Sequence, residues 1–299
     1  MISVVVPVYN AEPYIERALR SVLPFDAVTE ILLVEDGSTD RSLALCEDLA
    51  KADARIRLVQ HEGGVNRGAG ATRNLGLRKA AGYLIAFLDA DDYYLENRFE
   101  ADLRILTEVP TCTGVYNAIG VHFYSDAARE SFRSKGFESD LTSISEPVPG
   151  SELPLVLLNR HPTARGHFHL DGLTIRRQVI ERVGYFDERL RLHQDSEWMF
   201  RLAYLGDLLP GSLETPVAVR GVHDQNRITS DDNGLRSRKK QFEVMADFVR
   251  AQGEPGVIRD AILMRDAYYR WKTASGPGRY LALARYRFLK AKVGRLPRG

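Results

Sequence analysis

The sequence contains very few cysteines and no long apolar run. Its 299 residues include two cysteines, Cys46 and Cys112, which lie far apart and match no metal-binding spacing. We expect both to be buried free thiols in a reducing cytoplasm, because structural disulfides belong to oxidising compartments. No apolar stretch approaches the roughly 20 residues needed to span a bilayer, and residues 1–7 lack the basic segment and the length of a signal peptide. We therefore expect no integral membrane protein, although peripheral membrane binding stays open.

An excess of charge of either sign is also absent. The chain has 41 Lys or Arg and 40 Asp or Glu, which gives a formal net charge of +1. Such a balance provides no bulk attraction to nucleic acid, so we predict no nucleic-acid partner. With 44% hydrophobic and 27% charged residues, the composition is typical of a soluble globular protein with one large domain or two smaller ones.

Apolar strands and helical patterns alternate in the first part of the chain. Continuous apolar segments at residues 2–8, 30–34, 56–60 and 83–88 indicate buried strands, separated by helical spacings of apolar residues. This alternation predicts a parallel α/β sheet with right-handed crossovers. Beyond residue 96 we predict strands at 115–123 and 173–175, a loop or insertion at 125–150, and helices at 153–158, 177–183, 195–205 and 235–273.

The most informative stretch is Asp89-Ala90-Asp91-Asp92, which ends an apolar run. Three carboxylates within four residues repel one another unless they share a cation or are screened by solvent. They stand at the carboxyl end of a predicted strand, where open α/β sheets bind their ligands. Oxygen ligands suit Mg²⁺ or Mn²⁺, and such ions commonly serve phosphate groups. The stretch indicates either a divalent-metal site for a phosphorylated substrate or a polar loop with solvated acids.

Three further polar segments follow predicted strands or begin a helix. They are Pro7-Val8-Tyr9-Asn10, Glu35-Asp36-Gly37-Ser38 and Gly70-Ala71-Thr72-Arg73-Asn74. Acids at a strand end can accept hydrogen bonds from a nucleobase or a ribose, and an arginine at a helix N-terminus favours an anion. Each segment alone is equally an ordinary turn, with Ser38 or Thr39 capping the next helix. None is the Rossmann fingerprint, because no G-x-G-x-x-G follows the first strand.

Acids and histidines in the second half of the chain are further candidates. Asp195 begins a predicted helix and can be a helix cap or a general base at a cleft, whereas we expect Glu197 to be structural. His161, His167 and His169 fall within nine residues. They indicate the lining of a polar cleft or, with less specific support, a zinc site.

Residues 219–227 form a polar turn after an apolar pair. His223 is a candidate metal ligand beside the carboxylates, and Arg227 is a candidate for holding a diphosphate. The alternative for both side chains is an ordinary surface loop.

The order of these segments resembles that of the family 2 glycosyltransferases. The resemblance rests on the segments at 7–10, 35–40, 70–74 and 89–92, together with Gly184-Tyr185-Phe186-Asp187-Glu188 and Gln194-Asp195-Ser196-Glu197-Trp198. It covers residues 1–230 and implies a GT-A fold, an α/β domain with a mainly parallel central sheet and flanking helices. Residues 1–96 would form the nucleotide-sugar-binding half and residues 97–230 the acceptor half. A helical, basic C-terminal extension at 231–299 would follow.

The resemblance also implies roles for individual residues. The nucleotide-sugar donor would contact Pro7, Tyr9, Asn10, Glu35, Asp36, Ser38, Arg73, Asp89, Ala90 and Asp91. A bound Mn²⁺ or Mg²⁺ would be held by Asp91, with Asp92 and His223 as further ligands. Asp195 would be the general base.

The activity implied by the resemblance is an inverting, metal-dependent transfer of one sugar. The donor would be a nucleotide-diphosphate sugar, UDP-linked in most of the family, and the acceptor a hydroxyl on a glycan or a lipid-linked glycan of the cell surface. Gln194 stands where the family often has Glu, but Asp195 is kept. The chain has no Q-x-x-R-W motif, which argues against a processive synthase.

Two other functions are consistent with parts of this pattern. A non-catalytic nucleotide-sugar-binding domain would need the same donor segments without a working base. A phosphatase of the haloacid dehalogenase type also places Asp-x-Asp after a strand, but that family has Thr two residues after the second Asp. Here Tyr93 occupies that position.

The C-terminal segment 279–298 alternates aromatic and aliphatic residues with cations and has no acid. A basic amphipathic helix can lie on an anionic membrane, or it can pack on the domain with its charges solvated. We therefore expect a cytoplasmic protein, located at the inner face of the membrane if this helix binds lipid. The sequence gives no indication of an oligomeric state.

Overall fold

The structure, a computed structural model, describes residues 1–134, 139–223, 234–253 and 256–294. The strands are β1 (Ile2–Val8), β2 (Val28–Glu35), β3 (Ile56–Gln60), β4 (Leu84–Phe87), β5 (Tyr93–Tyr94), β6 (Gly114–Tyr116), β7 (Ile119–Phe123), β8 (Leu141–Thr142), β9 (Leu173–Arg176), β10 (Leu208–Pro210) and β11 (Ala218–Val222). The α-helices are α1 (Ile15–Val22), α2 (Ser42–Ala52), α3 (Ala69–Lys79), α4 (Glu100–Glu108), α5 (Asp126–Ser134), α6 (Leu153–Leu157), α7 (Val179–Val183), α8 (Gln194–Leu205), α9 (Leu235–Gln252), α10 (Val257–Thr273) and α11 (Pro277–Gly294).

A seven-stranded sheet forms the centre of the molecule, in the order β10-β6-β9-β4-β1-β2-β3. β1 pairs in parallel with β2 and β4, and β2 pairs in parallel with β3. β9 is antiparallel to both of its neighbours, β4 and β6. The mainly parallel sheet and the alternation of strands and helices were predicted correctly. Because the first four strands run in the same direction, the polar segments that follow them meet at one edge.

β1 illustrates how an apolar sequence becomes a buried central strand. Every residue of β1 except Pro7 is buried. Successive side chains of a strand point to opposite faces, so Val4 and Val6 join the apolar cluster that includes Leu19 of α1. Val5 points the other way and joins the cluster that includes Trp198 of α8. The sheet is therefore covered by helices on both faces, as parallel sheets require.

The prediction of one continuous strand at 115–123 is wrong, because two separate strands, β6 and β7, cover this range. β6 belongs to the central sheet and β7 to a second, four-stranded sheet, because the chain leaves the first sheet at Asn117. The Asn117 amide donates to Asp102 Oδ1 (2.7 Å), and its backbone N–H donates to the Gly172 carbonyl (2.9 Å). These tertiary partners fix the bend and are not visible in the local pattern.

Two other local expectations are corrected. The loop expected at 125–150 contains α5 and the short strand β8. Ser38 and Thr39 do not cap α2, because that helix begins at Ser42 and its preceding residue, Arg41, makes no side-chain cap. The Ser38 hydroxyl instead accepts a hydrogen bond from the Asn10 backbone (3.1 Å).

The second sheet has the order β5-β11-β7-β8. β5 begins directly after Asp92 and is antiparallel to β11, whose Gly221 N–H donates to Asp92 Oδ1 (2.8 Å). This pairing brings the end of β11, and therefore His223, beside the loop that follows β4.

The predicted C-terminal helical region is present as α9, α10 and α11. These helices share an apolar cluster that also contains Leu158 and Phe200, so they are packed onto the α/β domain. Trp271 of α10 stacks on Tyr286 of α11, with ring centroids 5.8 Å apart. Among the described residues, none of the helices has both the length and the apolar character needed to cross a bilayer.

A buried ion pair connects α4 with the central sheet. Arg98 Nη1 lies 2.7 Å from Asp102 Oδ2, and neither side chain has any solvent exposure. Asp102 also accepts hydrogen bonds from Asn117 and from Thr174 of β9, and Arg98 Nη2 donates to the Leu173 carbonyl. The pair therefore connects α4 with β9 and with the turn that follows β6.

We predict that Asp102→Ala lowers the free energy of unfolding by about 3–5 kcal/mol, because Arg98 is left as an uncompensated buried charge. Urea unfolding followed by circular dichroism measures this change. The double variant Arg98→Met/Asp102→Leu removes both charges and should recover much of the loss. A single-variant loss below about 1 kcal/mol, the range of surface pairs, would contradict this role.

Candidate active site

A cleft of about 1120 Å³ opens at the carboxyl ends of β1 and β4. The loops after these strands and the first turn of α3 line one end, and α9 and α10 line the other. The start of α8 lies between them. Eleven of the predicted site residues line this cleft: Pro7, Tyr9, Asn10, Asp36, Arg73, Asp89, Ala90, Asp91, Asp92, Asp195 and His223.

Glu35 and Ser38 are not among the residues that line the cleft. The Glu35 carboxylate is buried and accepts hydrogen bonds from the Ser38 backbone and from Gln60 Nε2. Burial raises the pKa of Glu35, but these hydrogen bonds outweigh it, so the pKa is lowered and the group is ionised. Both side chains form hydrogen bonds at the turn after β2. Their contact with the donor, which the resemblance implies, stays a prediction.

Asp36 is buried and shapes the turn after β2 beside the cleft. Its carboxylate accepts hydrogen bonds from the backbone N–H groups of Arg67 (2.7 Å) and Gly68 (2.9 Å). Gly37 has φ of 70°, and a Cβ there would approach the backbone of Asn66 closely. A glycine is therefore needed for the loop at 66–68 to close against this turn.

Arg73 is a buried cation that faces the cleft from α3. It forms an ion pair with Asp89, and its Nε and Nη1 atoms are without a hydrogen-bond partner among the described residues. Arg73 can lie this deep because Gly76, one turn further along α3, has no side chain. A Cβ at residue 76 would collide with Val5 of β1. The missing side chain lets the helix lie directly on the sheet.

Asp171 is a completely buried carboxylate that the sequence analysis did not select. Its Oδ1 accepts the Asp89 backbone N–H (3.1 Å), and its side chain is hydrogen-bonded to Asp92. Burial, and then the charge of Asp171, raise the pKa of Asp92 well above its usual range. Of the two acids Asp92 therefore holds a proton more readily, whereas the pKa of Asp171 is lowered despite burial because His169 and Asp92 stabilise its anion. The sequence signal that could have identified Asp171 is a single acid among apolar residues just before β9.

Two groups of side chains can hold a divalent cation. The His223 Nε2 atom lies 3.2 Å from Asp91 Oδ2, and the imidazole stacks on the Tyr14 ring at 4.5 Å. A second group, Asp89, Asp92 and His169, has ligand atoms within 4.8 Å of one another. Carboxylate oxygen and imidazole nitrogen both suit Mn²⁺, whereas Mg²⁺ favours oxygen alone. These residues fit the predicted metal.

Asp195 is the second residue of α8 and lines the cleft. Burial raises its pKa, but attraction to Arg73 and a hydrogen bond from the Ser196 backbone (2.7 Å) lower it below its ordinary value. The carboxylate is therefore ionised at neutral pH, the state that a base requires. Glu197 is fully buried and paired with Arg201 (2.6 Å), so its predicted structural role is confirmed.

The three histidines at 161–169 do not form a metal site within the described ranges. His161 is turned towards Glu152, with Nε2 and Oε2 2.8 Å apart. His167 and His169 line the cleft, as the sequence analysis predicted in preference to a zinc site. Burial and then the charge of Arg220 lower the pKa of His167 to about 4, so it is neutral at pH 7. Arg227 lies outside the described residues.

Comparison with known proteins gives the same family as the motifs. The model of the family described as glycosyl transferase family 2 matches residues 3–159. The uncharacterized glycosyltransferase EpsJ of Bacillus subtilis is 34% identical over 199 residues, covering 66% of this chain and 54% of EpsJ. TuaG of the same organism is 38% identical over 109 residues, covering 36% of this chain and 42% of TuaG, and is named for teichuronic acid biosynthesis. This chain spans about half the length of these relatives.

Solved structures show the same fold at low sequence identity. S. aureus TarS residues 1–349, in complex with UDP-GlcNAc, matches with a TM-score of 0.66 and 19% identity over 98% of this chain and 80% of that one. The mannosyltransferase PcManGT of Pyrobaculum calidifontis, in complex with GDP-Man and Mn²⁺, matches with a TM-score of 0.55 and 19% identity over 98% and 83%. The fold is the GT-A fold. The family model covers more than half of the chain, and the chain belongs to glycosyl transferase family 2.

Proposed function

We propose that this protein transfers one sugar, with inversion, from a nucleotide-diphosphate sugar to a hydroxyl group of an acceptor. The observation that carries the proposal is that an ionised carboxylate, Asp195, faces the same cleft as Asp89 and Asp91. Arg73 lies between these acids and interacts with Asp89 and Asp195. A base and a cation-binding end in one cleft are what displacement of a diphosphate requires.

Asp195 would take the proton of the acceptor hydroxyl as its oxygen attacks the anomeric carbon. The bond between that carbon and the diphosphate oxygen breaks on the opposite face, through an oxocarbenium-like transition state. The electron pair leaves with the nucleoside diphosphate. Attack from the face opposite the leaving group inverts the anomeric configuration.

Asp91 and His223 would hold Mn²⁺ or Mg²⁺, with Asp92 a further ligand once it loses its proton. A bound cation supplies Lewis-acid neutralisation of the leaving diphosphate. Arg73 adds a fixed positive charge, with N–H groups that the described residues leave unpaired. Tyr9, Asn10 and Asp36 would contact the nucleoside.

The donor and acceptor classes follow from chemistry and from the relatives. The UDP-GlcNAc bound to TarS supports a UDP-linked donor here, and the GDP-Man bound to PcManGT leaves the base open. The name of TuaG supports a glycan or lipid-linked glycan of the cell surface as the acceptor. Family membership removes the phosphatase alternative, so the competing function is a binding domain without transfer.

Asp195→Asn is expected to lower the rate of donor turnover about 10²–10⁴-fold, because an amide cannot accept the proton. The affinity for UDP with Mn²⁺ should stay within about twofold of the wild-type value, since Asp195 is not assigned to the nucleotide. UDP or GDP release from a panel of nucleotide sugars measures the rate. Asp48→Asn, on the exposed face of α2, is the control with the same chemical change. An unchanged rate in Asp195→Asn would remove Asp195 as the base, and no turnover of any donor would favour the binding domain.

Asp91→Ala should abolish the effect of Mn²⁺ on UDP binding, and His223→Ala should weaken Mn²⁺ binding about tenfold or more. Thermal shift with UDP over a Mn²⁺ titration measures both, because a bound ligand raises the melting temperature by mass action. Glu16→Ala, on the exposed face of α1, is the control acid. Equal UDP affinity with and without Mn²⁺ in the wild type would contradict metal dependence.

We also propose that α11 rests on an anionic membrane surface, at the cytoplasmic face. Its residues Tyr280, Leu281 and Phe288 are 70–76% exposed, and they lie within about 100° on the helix. Leu289 and Val293 are buried on the opposite side. The helix has no acid, and four of its cations flank the exposed stripe: Arg279, Arg285, Arg287 and Lys290. Lys292 is paired with Asp260 of α10 at 2.7 Å. An apolar stripe edged by cations suits the interface of an anionic bilayer.

The protein should co-sediment with phosphatidylglycerol-containing vesicles and much less with pure phosphatidylcholine vesicles. Leu281→Asp/Phe288→Asp should reduce this binding at least about tenfold, because two apolar side chains inserted into the bilayer contribute several kcal/mol to binding. Val65→Asp/Tyr83→Asp, two exposed apolar residues elsewhere, is the matched control. Equal sedimentation of both double variants would contradict the assignment. Self-association that only the α11 variant loses would assign the stripe to a second copy of the chain.

A further inference from the structure

Two arginines line the end of the cleft that is formed by the C-terminal helices. Arg238 lies on α9 and Arg265 on α10. Each has one described hydrogen bond, to a neutral acceptor: Arg238 Nη1 to Gln241 Oε1 (3.2 Å) and Arg265 Nη2 to the Leu158 carbonyl (2.6 Å). Neither forms an ion pair with a described residue. A guanidinium has five N–H donors, so most of their hydrogen-bonding capacity is left over.

Other arginines on the same two helices are paired with acids. Arg250 of α9 and Arg270 of α10 both contact Asp266, at 3.3 Å and 2.7 Å. Arg270 also contacts Glu243 at 3.0 Å. The helices therefore carry carboxylates, but these are used away from the cleft.

Arg265 is in an unfavourable electrostatic environment. Arg265 lies over the Phe242 ring, 5.4 Å from its centroid. Burial, and then repulsion by Arg160 and Arg238, lower its pKa. Neighbouring cations that no acid of the described residues pairs with cost free energy in the ligand-free protein, and an anion bound between them would offset that cost.

Their position relates them to the acceptor rather than to the donor. Burial and then the charge of Arg238 lower the pKa of His193 to about 4, which places Arg238 near this histidine. His193 precedes Asp195 by two residues. Asp89, where the nucleotide diphosphate is proposed to bind, is instead connected to Asp195 through Arg73, which interacts with both acids. Phe242 stacks on Tyr269 at 5.3 Å and gives this end an apolar wall.

We propose that Arg238 and Arg265 bind an anionic group, a phosphate or a carboxylate, that is carried by the acceptor. The inference rests on the proposed function, because it takes the α9 and α10 side of Asp195 as the acceptor end. Paired guanidinium groups match the oxygen geometry of both anions and bind them bidentately. The acceptor would then be a phosphorylated or acidic glycan, held by its charge so that a neighbouring hydroxyl reaches Asp195.

The test uses small probes with the donor end filled. Binding of glycerol 3-phosphate and of glucuronate is measured by calorimetry in the presence of saturating UDP and Mn²⁺, with glycerol and glucose as neutral counterparts. The wild type should bind at least one anion saturably and neither neutral compound. Arg238→Gln and Arg265→Gln should each weaken that anion about tenfold, while UDP affinity stays within about twofold.

Arg236→Gln is the matched control, because Arg236 is exposed on the same helix, two residues from Arg238, and changes the charge equally. Thermal unfolding of each variant verifies that it is folded. A response to glycerol 3-phosphate alone assigns a phosphorylated acceptor, and a response to glucuronate alone assigns an acidic sugar. Absence of saturable anion binding in the wild type, or anion binding by both cleft variants that equals that of the wild type, would overturn the proposal. Anion binding that depends on Arg238 and Arg265 in a protein that binds no UDP would instead leave this site standing and reject the proposed function.

Discussion

A buried arginine makes the arrangement of acids in this cleft possible. Arg73 interacts with Asp89, Asp171 and Asp195, which come from three separate parts of the chain. Without a cation among them, these carboxylates would repel one another and some would take up protons. The ionised state of Asp195 depends on this charge, which also opposes the rise that burial causes in the pKa of Asp89. The proposed base and the proposed donor end are therefore coupled through one guanidinium.

The two ends of the cleft are built in different ways. The proposed donor end uses the turns after parallel strands, whose positions are fixed by backbone pairing across the sheet. The proposed acceptor end uses side chains of α9 and α10, helices that join the domain through an apolar cluster with Leu158 and Phe200. Side chains on packed helices can change without altering the sheet.

The structural elements that depend mainly on the local order of apolar and polar residues could be predicted from the sequence. β1 and β3 have the predicted bounds, because continuous apolar residues at a strand period leave no alternative. Asp195 and the Asp89–Asp92 loop were found because each sits at the end of a regular element. Asp171 and Arg265 were not found, because their hydrogen-bond partners, Asp89 and Leu158, lie more than 70 residues away in the sequence. Arg238 was not found either, since the sequence does not show that α9 lines the cleft. The hydrogen bonds of the Glu35 carboxylate with Ser38 and Gln60 could not be predicted, because the sequence around Glu35 does not reveal these partners.

Close packing of α3 on the sheet links the backbone to the chemistry. Gly76 faces Val5 with no room for a β-carbon, and Arg73 is three residues before it on the same helix. A single methyl group at residue 76 would lift the helix from β1 and draw the guanidinium away from its three carboxylates. A chemically inert change that touches no ligand would then alter which acids hold protons, so the electrostatics of the cleft are set partly by the thickness of a helix–sheet contact.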